Sequence, residues 1–243
     1  MEAGALVLPL FSGEKQARLK GRSNLVTEAD LLSERTILGT LRQEFPSLGF
    51  LSEESEAVPS ESPYTWVVDP VDGSNNFTFG VPFFSISLAL LHQEEVLLGV
   101  TYDPVRRELF RAEKGKGAFL GEKPLRVSSR SSLVEALVAY DMGYDPEQGA
   151  EMLKVVSRLW PNVFSFRVLG SGALALAYVA AGRVDLYLHR RLYPWDILAG
   201  RLLVEEAGGL ATDWEGRPVT RKTHQVVAGN PALHRLFRSY IYK

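Results

Sequence analysis

The residues best equipped for chemistry in this 243-residue chain are carboxylates that fall at turns. The densest run is Trp66-Val67-Val68-Asp69-Pro70-Val71-Asp72-Gly73-Ser74-Asn75-Asn76-Phe77. A short apolar run, better suited to a buried strand than to a helix, ends at an acid. Proline fixes the next backbone angle, and a second acid followed by glycine closes a turn. Carboxylates three residues apart on such a turn can point at one spot, with the Val71 carbonyl between them as another oxygen donor. Hard divalent cations take oxygen ligands of this kind, and Mg²⁺ keeps waters and a substrate phosphate besides. Gly73 and Ser74 follow as backbone N–H donors able to cradle a phosphate. Two solvated turn acids explain the spacing equally well, because Asp-Pro and Asp-Gly are common turn dipeptides.

Two other acidic sites invite the same question. Phe50-Leu51-Ser52-Glu53-Glu54-Ser55-Glu56 reads as a solvated charged loop or as a source of further ligands. In Tyr193-Pro194-Trp195-Asp196 an acid sits in the first turn of a helix, where capping or the helix dipole alone accounts for it. His92, His224 and His234 have no metal-like spacing, whereas His189 stands close before Asp196. Arg167 reads as a packing or hydrogen-bonding residue near the site. With no cysteine, disulfides and thiolate chemistry are excluded, and a cytoplasmic location fits. The net charge of −2 gives no basic surplus for nucleic acid or an anionic membrane. No apolar run approaches the roughly 18 residues that span a bilayer. The apolar stretch from Ala3 to Phe11 follows an acid and lacks a cleavage site, so it does not read as a signal peptide. GxGxxG and Walker A loops are absent.

The elements that must position these residues are legible in outline. Thr27 to Phe45 predicts a helix capped by Thr27, with an apolar face from Leu31, Leu32, Ile37, Leu38 and Leu41. Glu56 to Pro63 reads as a loop, and Phe83 to Phe119 as strands joined by turns, one at Asp103-Pro104. Asp145-Pro146 opens a helix to about Leu159. Ser171 to Ala181 is a small, apolar helix ending at Gly182, followed by a strand over Val184 to Leu188. Pro194 to Ala207 is a helix before Gly208-Gly209. Strands and helices mix throughout, which makes the class α/β or α+β.

Six elements in order resemble the inositol monophosphatase family. Asp69 to Phe77 resembles its first signature, Asp-Pro-x-Asp-Gly-Thr-x-Asn-Phe, with Ser74 in place of threonine. Trp195-Asp196-x-x-Ala199-Gly200 with Glu206-Ala207-Gly208-Gly209 resembles the second. Glu53-Glu54-Ser55, Val26-Thr27-x-x-Asp30, Arg167-x-x-Gly170-Ser171-Gly172 and Lys114-Gly115-x-Gly117-Ala118 resemble four more.

The resemblance implies a layered αβαβα sandwich. It also implies one phosphatase domain over residues 1–243, in packed halves of about 1–130 and 131–243, and a homodimer. It implies Mg²⁺-dependent hydrolysis of a small phosphate monoester by metal-activated water, with sensitivity to Li⁺. Glu53, Asp69 and the Val71 carbonyl would hold one Mg²⁺; Asp69, Asp72 and Asp196 would hold a second; a third could sit near Glu53. Glu53 and Ser74 would orient the water and take its proton, and Asp30 would hydrogen-bond Ser74. Gly73, Ser74, Gly172, His189 and Asp196 would meet the substrate. The chain begins partway through the family's first helix, which predicts exposure or motion near Leu6 to Phe11. His189 occupies a place where animal members carry a glutamate that contacts inositol hydroxyls. With Arg190 and Arg191 it could serve a second phosphate. The expected substrate is inositol monophosphate or a related sugar phosphate, with fructose-1,6-bisphosphatase or broad-specificity activity as the alternative. A non-catalytic member would have lost a ligand or the hydroxyl, and none is lost.

Overall fold

The computed structural model describes residues 1–13, 17–21 and 24–241. In chain order these form α1 (Glu2–Ser12), β1 (Ala17–Gly21), β2 (Asn24–Thr27), α2 (Glu28–Glu44), β3 (Gly49–Ser52), β4 (Tyr64–Asp72), α3 (Ser74–Phe79), β5 (Ser85–His92), β6 (Glu95–Asp103), β7 (Glu108–Glu113), β8 (Gly117–Leu120) and β9 (Lys123–Pro124). They continue with β10 (Leu137–Asp141), α4 (Pro146–Leu159), β11 (Ser165–Val168), α5 (Gly172–Ala180), β12 (Leu186–His189), α6 (Pro194–Glu206), β13 (Leu210–Thr212), β14 (Val226–Gly229) and α7 (Pro231–Ile241). A sheet of order β3-β4-β5-β6-β7-β8-β9 is antiparallel except at β3–β4. A second sheet has order β11-β10-β12-β14-β13, parallel across β11, β10 and β12. The β1–β2 hairpin stands apart.

Burial patterns dictate the stacking. The sequence of α5, Gly-Ala-Leu-Ala-Leu-Ala-Tyr-Val-Ala, is apolar all round, so the helix must be covered on every side. It packs with α6 between the two sheets, in a core that includes Val67, Leu91, Phe110, Leu174, Leu176, Tyr187 and Leu203. The outer face of the larger sheet is covered by α1 and α2 through Ala3, Ile37, Leu38, Phe50, Val68 and Ile86. The outer face of the smaller sheet is covered by α4 and α7 through Met152, Val155, Leu159, Leu233 and Phe237. The order helix, sheet, helix, sheet, helix is the expected αβαβα sandwich. Gly200 lets α5 and α6 cross closely, since a Cβ there would lie 2.4 Å from that of Leu176.

Local signals act as read, with shifted ends, except that Leu31, expected on the apolar face of α2, is exposed. Thr27 caps α2 by accepting from the Ala29 N–H (3.2 Å), and Asp30 accepts from the Thr27 N–H (2.7 Å). Asp145 caps α4 through the N–H groups of Glu147 and Gln148. The strand expected over Val184 to Leu188 runs from Leu186 to His189. The strand at Trp66 continues through Asp72, and α3 follows it directly, a helix too short for periodicity to reveal. In α1, Leu6 is exposed as expected, but Val7 is fully buried and Phe11 packs on Phe77 and Phe84.

Candidate active site

The turn after β4 is built by long-range hydrogen bonds. Asp69 is buried at the strand's end, and its Oδ1 accepts from the Val71 N–H at 3.1 Å. Asp72 lies against the N-terminus of α5. There its carboxylate accepts from the N–H groups of Ala173 (2.8 Å) and Gly172 (3.2 Å) and from the Ser171 hydroxyl. Unpaired N–H groups at a helix start favour an anion, so α5 fixes this carboxylate. Gly73 turns the chain at φ 100°, and a side chain there would also meet the Gly170 carbonyl oxygen at 3.1 Å. The Ser74 hydroxyl lies 2.7 Å from Asp30 Oδ1 and 3.0 Å from the Val71 carbonyl oxygen, and its single proton serves one of them. Asn76 donates to the carbonyls of Phe83 and Leu169, both at 2.7 Å, and so ties the turn to the segment after β11.

Asp196 arrives from α6. Its Oδ2 accepts from the Tyr193 N–H at 2.6 Å, so it is a cap as well as a member of the cluster. Carboxylate oxygens of Asp69, Asp72 and Asp196 all lie within 4.8 Å of one another, and all three residues are buried. Burial, reinforced by Glu53, Asp72 and Asp196, pushes the Asp69 carboxyl well above its usual range. Burial and then Asp72 and Glu53 do the same to Asp196. Asp72 is also raised by burial, against the opposing hydrogen bonds from Ser171 and the α5 amides. Oδ2 of Asp69 is buried and accepts no hydrogen bond. Crowded carboxylates, an unsatisfied lone pair and oxygen donors only are what a hard cation completes, so the cluster can hold a metal ion.

Glu53 follows β3 and lines the same pocket, but it stands outside the three-carboxylate cluster. Its Oε1 pairs with Lys20 Nζ from β1 at 3.0 Å, and Lys20 also pairs with Glu54. Sequence reasoning missed Lys20, because nothing local marks a lysine for a carboxylate 33 positions away. It also missed Asp141 at the end of β10, which lines the pocket. Asp141 accepts from the N–H groups of Leu169 and Gly170 and from the Tyr187 hydroxyl, and burial raises its carboxyl to about 6.

The pocket has a volume of about 250 Å³. Glu53, Asp69, Val71, Asp72, Gly73, Ser74 and Asp196 line it together with Met142, Gly143, Tyr144, Gly172, His189, Arg191 and Tyr193, among others. Asp30 lies behind Ser74 and is fully buried. The Gly172 N–H is committed to Asp72, so what Gly172 offers a substrate is the open wall of a residue without a side chain. His189 is buried, and its Nδ1 accepts from the Arg191 N–H at 2.9 Å. Burial lowers the imidazole to about 3, so the ring is neutral with its proton on Nε2. Two sequence expectations are corrected. Arg190 turns away from the pocket and stacks its guanidinium on Trp214 at 3.9 Å, because the side chains of neighbouring residues leave opposite sides of an extended segment. Arg167 is exposed and bonds its own strand at Ser165 and Phe166 rather than the site.

Residues 1–242 match the inositol monophosphatase family. The chain belongs to that family. It is 40% identical over 233 residues to an inositol-1-monophosphatase of Mesorhizobium japonicum, spanning 94% of this chain and 86% of the relative. It is 39% identical over 220 residues to the Nus factor SuhB of Escherichia coli K12, spanning 90% and 82%. A crystal structure of the extragenic suppressor protein suhB of Bartonella henselae superposes with a TM-score of 0.95 at 37% identity, over all of this chain and 95% of that one. The Lys114-Gly115-x-Gly117 turn meets the second family signature in space: Glu206 accepts from the N–H groups of Gly115 and Gly117, both at 2.8 Å. No helix among the described residues is long and apolar enough to cross a membrane.

Proposed function

We propose that the chain is a Mg²⁺-dependent phosphatase acting on inositol monophosphate or a related sugar phosphate. The observation that carries this is the buried Asp69–Asp72–Asp196 cluster with its unsatisfied Asp69 Oδ2, lining a pocket. Asp69, Asp72, Asp196, Glu53 and the Val71 carbonyl would hold two Mg²⁺, and a third is compatible with Glu53. Such ions neutralise phosphate charge and make a nucleophile of water near neutral pH. The chain's own residues do the rest. Asp30 accepts a hydrogen bond from the Ser74 hydroxyl, which turns a lone pair of that oxygen toward the attacking water. Glu53 orients that water and accepts its proton. The N–H groups of Gly73 and Ser74 bind phosphate oxygens, and α5 keeps Asp72 in place through Gly172 and Ala173. Inhibition by Li⁺ belongs to the same reading.

His189 supports a broader substrate range. Its Nε2 can only donate, where a carboxylate would accept from several sugar hydroxyls. With Arg191 it suits an acceptor-rich group far from the scissile phosphate, which keeps fructose 1,6-bisphosphate among the substrates. A homodimer belongs to the same reading: Phe79, Val81, Phe164 and Val168 are exposed, and Asn76 in α3 bonds Leu169, next to Val168. The test is a panel of inositol monophosphate, fructose 1,6-bisphosphate and other phosphate esters, assayed with Mg²⁺ and with chelator. Hydrolysis that persists in chelator, or no hydrolysis of any ester with Mg²⁺, would overturn the reading.

A further inference from the structure

Behind the catalytic pocket lies a second cavity that hydrolysis does not use. After β12 the chain runs between the two. His189, Arg191 and Leu192 face the pocket, whereas Arg190 lines an open cavity of about 640 Å³ on the other side. The guanidinium of Arg190 lies 3.9 Å from the ring of Trp214, which is itself almost fully buried. Stacking holds the cation flat and shields one of its faces from water. Among the described residues it has no ion-pair partner, and its Nε is buried without an acceptor. A buried N–H with nothing to bond carries a desolvation cost that an incoming oxyanion would relieve.

The surroundings add donors. Lys222 lines the same cavity without an ion pair to a described residue, while Arg217 is paired with Asp213 and Glu215. Three cations therefore face a single lining carboxylate, Asp213. A stacked arginine edge is suited to bidentate contact with an oxyanion, and a second unpaired cation suits a dianion over a monoanion.

We propose that this cavity binds the phosphate group of a small phosphorylated molecule, at a site separate from the catalytic pocket. Binding would be felt at the pocket through shared supports. Trp214 Nε1–H donates to the His189 carbonyl at 3.0 Å. His224, on the cavity's rim, holds Leu192 at both its N–H and its carbonyl.

The experiment titrates the protein, in Mg²⁺ buffer, with inorganic phosphate while the indole N–H signals are followed by NMR. Trp66, Trp160, Trp195 and Trp214 are the only tryptophans, and Trp214→Phe identifies the signal that matters. Trp195, next to Asp196, reports on the catalytic pocket. The Trp214 signal is expected to shift saturably. Arg190→Met and Lys222→Met should each weaken its apparent affinity about tenfold, a loss of about 1.4 kcal/mol, with the Trp195 response kept. Lys222→Met leaves the indole stack intact, so it covers the case in which Arg190→Met disturbs Trp214 directly. A Trp214 signal unmoved by phosphate would overturn the site. So would a shift of unchanged affinity in both variants, because phosphate would then be acting from the catalytic pocket.

Discussion

The turn after β4 and the segment between β12 and α6 both deliver a carboxylate into one cluster, yet they are held very differently. In the first, nearly every polar side chain is anchored by a distant element: Asp72 by α5, Ser74 by Asp30, Asn76 by Leu169 and Phe83. In the second, the side chains of His189 and Asp196 bond the nearby N–H groups of Arg191 and Tyr193, while the backbone between them is held from a distance by Trp214 and His224. The polar side chains of the turn are thus fixed by the whole fold, while those of His189 and Asp196 are fixed by near neighbours on a backbone held from a distance. A side chain held this locally can change without disturbing the carboxylates of the turn.

Asp72→Asn strikes the fixed end hardest. It removes the charge a cation needs and points an NH₂ or a weaker acceptor at the Gly172 and Ala173 amides. Turnover should fall by roughly 10³-fold, the several kcal/mol that a metal ion contributes, with the circular dichroism spectrum unchanged. Most of the wild-type rate at saturating Mg²⁺ would remove Asp72 from the ligand set. Ser74→Ala should lower kcat by about 10²-fold and leave KM within about twofold, since the hydroxyl acts on the water. A change in KM alone would make Ser74 a phosphate binder. At the adaptable end, His189→Glu should leave kcat on inositol monophosphate largely intact. The ratio of kcat/KM for fructose 1,6-bisphosphate over inositol monophosphate should drop about tenfold. An unaltered ratio would place discrimination elsewhere in the pocket.

The smallest effect is on stability. The carboxyls of Asp69, Asp72 and Asp196 are raised in the folded state, so without metal the fold binds more protons there than the unfolded chain does. That contribution is full below the ordinary carboxylate range and is lost as pH rises through the raised values. His189 and His234, lowered to about 3 and about 4, run the other way and contribute fully only above the ordinary histidine range. Above the ordinary histidine range the raised carboxyls set the slope, with Glu54, raised to about 7 by burial, acting in the same direction as the cluster. The Tm in chelator should therefore fall from about pH 7.5 to about 8.5, and Mg²⁺ should restore more at the higher value, by a few degrees. Equal Mg²⁺ effects at both values, read by calorimetry, would count against a cation at the cluster.

Much of this was legible because the signals were local. Thr27, Asp145 and Pro194 announce their helices, and Asp69 to Phe77 carries its acids, its glycine and its hydroxyl within one turn. Asp141 and Lys20 were not legible, since each acts on residues 28 to 46 positions away and sits in no motif. The outward direction of Arg190 was likewise invisible: three consecutive basic or titratable residues give no sign of which one an extended backbone turns inward. Asp196 shows a different limit. Capping and membership of the carboxylate cluster looked like rival explanations, and one carboxylate does both.

The bond from Ala173 to Asp72 joins residues 101 positions apart. It cannot form until both sheets exist and α5 has docked between them. Contacts of such separation close late, because a long loop must be ordered before they return anything. The pocket is therefore among the last things the chain makes during folding and among the first it loses, and a protein that has regained its secondary structure has not yet regained a place to work.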